Sequence, residues 1–135
     1  MIRKMSHACI YVLDIDEAID FYTNKLGMDL RNDVSDESFR WVTVSFKDQP
    51  ELEIVLMPTQ EGPHLTKEES ESHRRLIGKG LIGCGVLNTD DIHKTYEELK
   101  AKGVEFMSPP EEKFYGIEAL LKDNSGNWFS LTQHK

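Results

Sequence analysis

His7-Ala8-Cys9-Ile10-Tyr11-Val12-Leu13-Asp14-Ile15 recurs 77 residues later as Cys84-Gly85-Val86-Leu87-Asn88-Thr89-Asp90-Asp91-Ile92. The same shift relates Leu52-Glu53-Ile54 to Phe129-Ser130-Leu131. A duplicated fold places equivalent positions together. The expectation is therefore that His7, Glu53, Cys84 and Ser130 meet at one site. His and Glu are good ligands for a hard or borderline metal ion, whereas Ser is a poor one. Cys84 is open to two readings, a zinc ligand or a small buried hydrophobe.

Working outward from these stretches gives the elements. Residues 6–13 read as a buried strand. Asp14 and Asp16 offer N-caps to a helix over 15–26, whose stripe is Ile15, Ala18, Ile19, Tyr22 and Leu26 and whose stop is Gly27. Residues 40–46 and 51–57 alternate with strand-forming residues, joined by a turn at Lys47–Pro50. The second copy repeats the order. A strand near 82–88 precedes a helix over 91–102, with Thr89, Asp90 and Asp91 as candidate caps and Gly103 as the stop. Strands follow near 104–107, 116–122 and 127–133, with Asp123–Asn127 as the last turn. The segment joining the copies, 59–80, contains the capping-box pattern Thr66-x-x-Glu69 and a charged run. It reads as a mostly exposed helix whose charges, Arg74 and Arg75 among them, form a solvated face.

The chain has 135 residues, enough for one domain with a real core. A formal charge of −8 argues against non-specific binding to nucleic acid or to an anionic membrane. No stretch approaches a membrane span of about 18 apolar residues. The basic residues near the N-terminus have no apolar run behind them, unlike a signal peptide. Two cysteines, Cys9 and Cys84, show neither CxxC spacing nor a disulfide framework. Together these point to a reducing, cytoplasmic location.

The pattern His-x6-Asp-Ile-x3-Ile-x2-Phe-Tyr from His7 to Tyr22 resembles the opening of a vicinal oxygen chelate protein. That superfamily includes glyoxalase I, bleomycin-resistance proteins and extradiol dioxygenases. Leu52–Leu56 resembles its first-module ligand strand. Gly103-Val104-Glu105-Phe106, Tyr115-Gly116 and Asp123-x-x-Gly126-Asn127 resemble its second module. The resemblance covers nearly the whole chain except 59–80.

The resemblance implies an α+β fold of two βαβββ modules, whose curved mixed sheets form a cup with helices on the outer face. The domain is then a single glyoxalase-like one over 1–135: module one about 1–58, a helical linker 59–80 and module two 81–135. Strand alternation agrees: Glu53, Val55, Trp128, Ser130 and Thr132 would face the cup, and Ile54, Leu56, Phe129 and Leu131 the helices. In metal-using members one divalent ion (Zn, Ni, Mn or Fe) is held by residues at the places of His7, Glu53, Cys84 and Ser130. His7, Glu53 and Cys84 are the ligand candidates here, and Glu53 is also the candidate catalytic base. His64, His73 and His93 are further imidazoles, read as surface residues. Cys84 and Ser130 depart from the ligand sets of glyoxalase I and of the ring-cleaving dioxygenases, which disfavours both activities. Trp41, Tyr115, Trp128 and Ser130 are the substrate-binding candidates lining the cup. Two readings stay open: a metal-assisted lyase, isomerase or dioxygenase with a reduced ligand set, and a metal-free protein that sequesters a small molecule. Modules of this kind pair within one chain or across two. Sheet edges need covering, and two-fold dimers are the commonest assembly, so a symmetric homodimer is expected.

Overall fold

A computed structural model describes residues 1–135. The chain forms an α+β fold of two similar modules, each with a four-stranded mixed sheet. The first contains β1 (His7–Val12), α1 (Ile15–Asp20), β2 (Asp29–Ser35), β3 (Arg40–Ser45) and β4 (Glu53–Pro58). After α2 (Lys67–Gly78), the second contains β5 (Gly83–Asn88), α3 (Ile92–Ala101), β6 (Glu105–Lys113), β7 (Gly116–Lys122) and β8 (Trp128–His134). The sheet orders are β1-β4-β3-β2 and β5-β8-β7-β6, so each module runs the same path. Residues 1–74 and 75–135 make two compact units, and the division falls inside α2.

The helix starts follow from their caps. Asp14 accepts the backbone N–H of Glu17 at 2.9 Å, and Asp91 accepts that of Lys94 at 3.2 Å. The first helix ends differently from the expected continuous α-helix. From Phe21 to Lys25 it widens into a single π turn, closed by Leu26 N–H on the Phe21 carbonyl at 3.1 Å. Gly27 and Gly103 then take positive φ values of 78° and 88°, a conformation that Cβ-bearing residues resist.

In the first unit α1 lies on β4, and Ile10, Val12, Ala18, Phe21, Tyr22, Val42, Val44 and Leu56 are buried. These strand residues alternate with those of the opposite sheet face, His7, Cys9, Tyr11, Trp41, Thr43, Glu53 and Val55. In the second unit α3 covers the sheet, burying Ile92, Leu99, Ala119, Leu121, Phe129 and Leu131. The other face carries Glu118, Leu120, Trp128, Ser130 and Thr132.

The joining helix corrects one expectation. The capping box forms, with Thr66 N–H on Glu69 at 2.9 Å and Glu69 N–H on the Thr66 hydroxyl at 3.1 Å. Arg74, however, is not part of a solvated face. Its guanidinium donates to the Leu13 carbonyl at 3.0 Å and to the Thr59 hydroxyl at 2.8 Å. Thr59 in turn donates to the Val12 carbonyl, and Ser70 donates to the Thr59 carbonyl. The arginine thus ties α2 to the end of the β1–β4 pair, sharing the Leu13 carbonyl with the Gln60 amide.

β6 is longer than the expected strand at 104–107 because it accommodates Pro109 and Pro110. It is an edge strand, where a missing donor can face away from the ladder, and its register slips between Ser108 and Glu111.

Candidate functional site

Parallel pairing of β1 with β4 sets His7 directly beside Glu53. Their side chains face each other with Nε2 and Oε2 4.0 Å apart, His7 being 40% exposed and Glu53 20%. The Ser6 hydroxyl lies 2.9 Å from His7 Nδ1. Antiparallel pairing of β3 with β4 and of β2 with β3 brings two more polar groups to Glu53. The Thr43 hydroxyl donates to Oε1 at 2.6 Å, and the Asn32 amide donates to the same oxygen at 3.1 Å and to the Thr43 hydroxyl at 2.9 Å. The Thr43 hydrogen bond, helped by the Arg31 and His7 charges and the Asn32 amide, holds the Glu53 carboxyl below the usual carboxylate range despite desolvation. Glu53 is therefore an anion at neutral pH. Trp41 lies on the same face, its ring 5.8 Å from His7 and 6.4 Å from Phe39. Of the other histidines, His64 and His93 are exposed. His73 is half-buried, with its ring 4.8 Å from that of Tyr11.

The second unit arranges its polar groups around a residue that sequence reasoning missed. Glu118 on β7 receives the Tyr115 hydroxyl on Oε1 at 2.6 Å and the Ser130 hydroxyl on Oε2 at 2.6 Å. Thr132 stands 2.7 Å from Ser130, hydroxyl to hydroxyl. Ser130 and then Tyr115 hold the Glu118 carboxyl below its usual range, and the same contact pushes the Tyr115 phenol up. The hairpin register contained the signal. Counting back from the Asp123 turn pairs Lys122 with Trp128, Leu120 with Ser130 and Glu118 with Thr132, all on one face.

Cys84 and Ser130 do not repeat the His7–Glu53 pairing. The β5–β8 register slips between Gly83 and Gly85, so Ser130 stands beside Val86. Gly83 lies against Trp128, where a Cβ would come within 2.5 Å of the indole ring. Burial, with a smaller contribution from the Asp123 charge, pushes the Cys84 thiol up to about 11. A neutral thiol must lose its proton before it can bind a metal, which weakens Cys84 as a ligand.

A catalytic zinc takes three protein ligands and keeps one open position. Unit one supplies one imidazole and one carboxylate, and two donors already occupy one of the carboxylate oxygens. In unit two the Ser130 proton is committed to Glu118. No group of three or more His, Cys, Asp or Glu side chains is placed to hold a metal ion. Neither unit by itself supplies the ligand set of a catalytic metal centre.

A family model described as the Glyoxalase/Bleomycin resistance protein/Dioxygenase superfamily matches residues 4–131. The crystal structure of UcmS2 is similar, with a TM-score of 0.93 and 45% identity over 98% of each chain. So is that of TnmS3, an antibiotic-binding protein from Streptomyces sp. CB03234, with a TM-score of 0.76 and 25% identity over 99% of this chain and 98% of TnmS3. The lactoylglutathione lyase GLX1 of Arabidopsis thaliana is 29% identical over 97% of this chain, which spans 44% of that protein. No helix is long and apolar enough to cross a membrane.

Proposed function

Because the chain belongs to the glyoxalase/bleomycin resistance protein/dioxygenase superfamily, we propose that it is a metal-free binding protein for a small, planar molecule of mixed polarity. The observation that carries this reading is the face of the first sheet, where the ionised Glu53 carboxylate faces His7, Trp41 lies beside His7, and Phe39 lies beside Trp41. A flat ring system gains from aromatic packing, and a fixed acceptor at its edge gives orientation. Similarity to TnmS3, which binds an antibiotic, supports the same class.

A second reading, metal-assisted catalysis by His7 and Glu53, is favoured by their 4.0 Å approach and by the likeness to lactoylglutathione lyases. One experiment separates them. Acridine, neutral at pH 7.5, is titrated with metal-stripped protein while the acridine fluorescence is followed, then again with Zn²⁺, Ni²⁺, Mn²⁺ or Fe²⁺ present. Saturable quenching independent of metal, weakened about tenfold in Trp41→Ala, is the expected result. Binding that appears only with a metal and vanishes in His7→Ala sinks the metal-free reading.

The assembly belongs to the same proposal. β1 and β2 are the outer strands of one sheet and β5 and β6 of the other, and every residue of β2 is exposed, Leu30 and Val34 included. Such edges invite a partner, and a symmetric homodimer covers them. Multi-angle light scattering should give about twice the 15.5 kDa chain mass. A monomer at high micromolar concentration removes this part of the proposal.

A further inference from the structure

His7 and Glu53 face each other without touching. Nε2 and Oε2 stand 4.0 Å apart, beyond the reach of a direct hydrogen bond, about 3.2 Å. The bonds around the pair leave one position on each side. Thr43 and the Asn32 amide both donate to Glu53 Oε1, so the oxygen turned to His7 is Oε2, which takes neither. On the other side the Ser6 hydroxyl lies 2.9 Å from His7 Nδ1. The Glu53 carboxylate is ionised, and its charge favours the imidazole form that carries a proton on Nε2. In the neutral ring Ser6 is then the donor to Nδ1. The gap is bounded by an N–H donor on one side and an anionic acceptor on the other.

The neighbouring groups of the first unit leave the gap to this pair. Arg31 adds its charge to Glu53, but its Nη1 donates to the Ser45 hydroxyl at 3.1 Å and to the Pro50 carbonyl at 3.0 Å. Tyr11, further along the same face of β1, is turned to the His73 ring, 4.8 Å away. Trp41, its ring 5.8 Å from that of His7, offers an aromatic surface beside the gap. Both His7 and Glu53 keep part of their side chains exposed, so the gap is open to a ligand.

We propose that the His7–Glu53 gap reads a hydroxyl on the edge of a planar ligand: the ligand's phenol gives its proton to Glu53 Oε2 and accepts from His7 Nε2–H. This rests on the planar-ligand reading above and names the polar group that the same site selects. One oxygen about 2.8 Å from each atom spans the 4.0 Å separation. A hydroxyl is suited to both walls because it donates and accepts at one atom. An ether oxygen accepts from His7 but gives Glu53 nothing. A carboxylate does the same and meets the Glu53 charge at close range. An ammonium group gives Glu53 a proton but sets its hydrogens against His7 Nε2–H. The phenol alone makes both bonds, and the one to the carboxylate is charge-assisted.

The test uses two neutral probes on one ring system, 2-naphthol and its ether 2-methoxynaphthalene, with acridine as the check on the underlying reading. Each probe's own fluorescence is followed at pH 7.5 as the full, metal-stripped chain is added. 2-Naphthol should bind about tenfold more tightly than the ether. In Glu53→Gln the amide oxygen takes over the bonds from Thr43 and Asn32, and the amide N–H groups face the gap. Both walls then donate, so ether and phenol should bind alike. His7→Phe keeps the acceptor, and 2-naphthol should retain part of its advantage. Glu17→Gln removes the same charge from the exposed side of α1 and should leave the ratio intact. Should circular dichroism show that Glu53→Gln folds poorly, the ratios of the parent chain and of His7→Phe decide. Equal binding of phenol and ether by the parent chain, or a tenfold ratio that survives Glu53→Gln, overturns the proposal while acridine binding stands. If acridine and both naphthalenes fail to bind, the planar-ligand reading falls together with this one.

Discussion

Asp123→Ala should lower the unfolding free energy by about 3–5 kcal/mol, because it strips three backbone donors and one side-chain donor of a charged acceptor at once. Asp123 Oδ1 accepts the N–H groups of Ser125, Gly126 and Asn127 at 2.8, 2.9 and 3.0 Å, and Oδ2 accepts the Asn127 amide at 3.0 Å. The aspartate, Ser125 and Asn127 are all buried, so water cannot readily replace the lost partner. Gly126 passes so close to the Ile77 carbonyl, with φ of 118°, that the loop cannot relax easily around the missing group. Urea unfolding followed by circular dichroism reads the shift as a lower midpoint at unchanged slope. A loss under about 1 kcal/mol would mean that the backbone bonds of the turn, Asp123 N–H to the Asn127 carbonyl at 2.8 Å and Gly126 N–H to the Asp123 carbonyl at 3.3 Å, suffice to hold it. The turn matters to the site because it fixes which residues of β7 and β8 share a face. Asp123→Ala should therefore also disturb the Glu118–Ser130 contact, seen as a chemical-shift change at Ser130.

That dependence explains what was readable from sequence. The 77-residue repeat revealed the paired modules because core residues and caps are local in their demands. Asp14 and Asp91 start helices in either copy for the same reason, a side-chain acceptor beside free N–H groups. Glu53 stands out in the sequence because a carboxylate within an apolar strand needs partners nearby. Glu118 was missed because a repeat compares each position only with its counterpart. Its role depends on cross-strand register, which the turn sets, and on Tyr115 and Ser130 arriving from different elements. Cys84 shows the converse. The repeat aligned it with His7, yet glycines on both sides let β5 slip by a bulge, and the ladder set Val86 beside Ser130. Arg74 looked solvated because helical periodicity does not reveal which carbonyls stand unsatisfied beyond the helix.

Thr43→Val should make Glu53 harder to ionise while leaving the β3–β4 core filled, since valine matches threonine in shape and lacks only the hydroxyl. Thr43 is fully buried and gives the shortest hydrogen bond to the carboxylate, 2.6 Å, which is the largest cause of its lowered pKa. Carboxyl NMR titration should place Glu53 at a higher pKa in the variant than in the parent chain. The stability consequence has a definite sign. A carboxylate whose folded pKa lies below its unfolded value stabilises the fold above the unfolded value, and that contribution disappears as pH falls through the folded pKa. The melting temperature of Thr43→Val should therefore trail the parent most at neutral pH, with the gap narrowing once both carboxyls are protonated. Asn32 would still donate to Glu53 Oε1, so part of the pKa depression survives. An unchanged gap across the acid range would show that the hydroxyl stabilises packing and not the charge. Glu53 would then be no better an anchor for a ligand than any half-exposed glutamate, and the planar-ligand reading would lose the acceptor on which it depends.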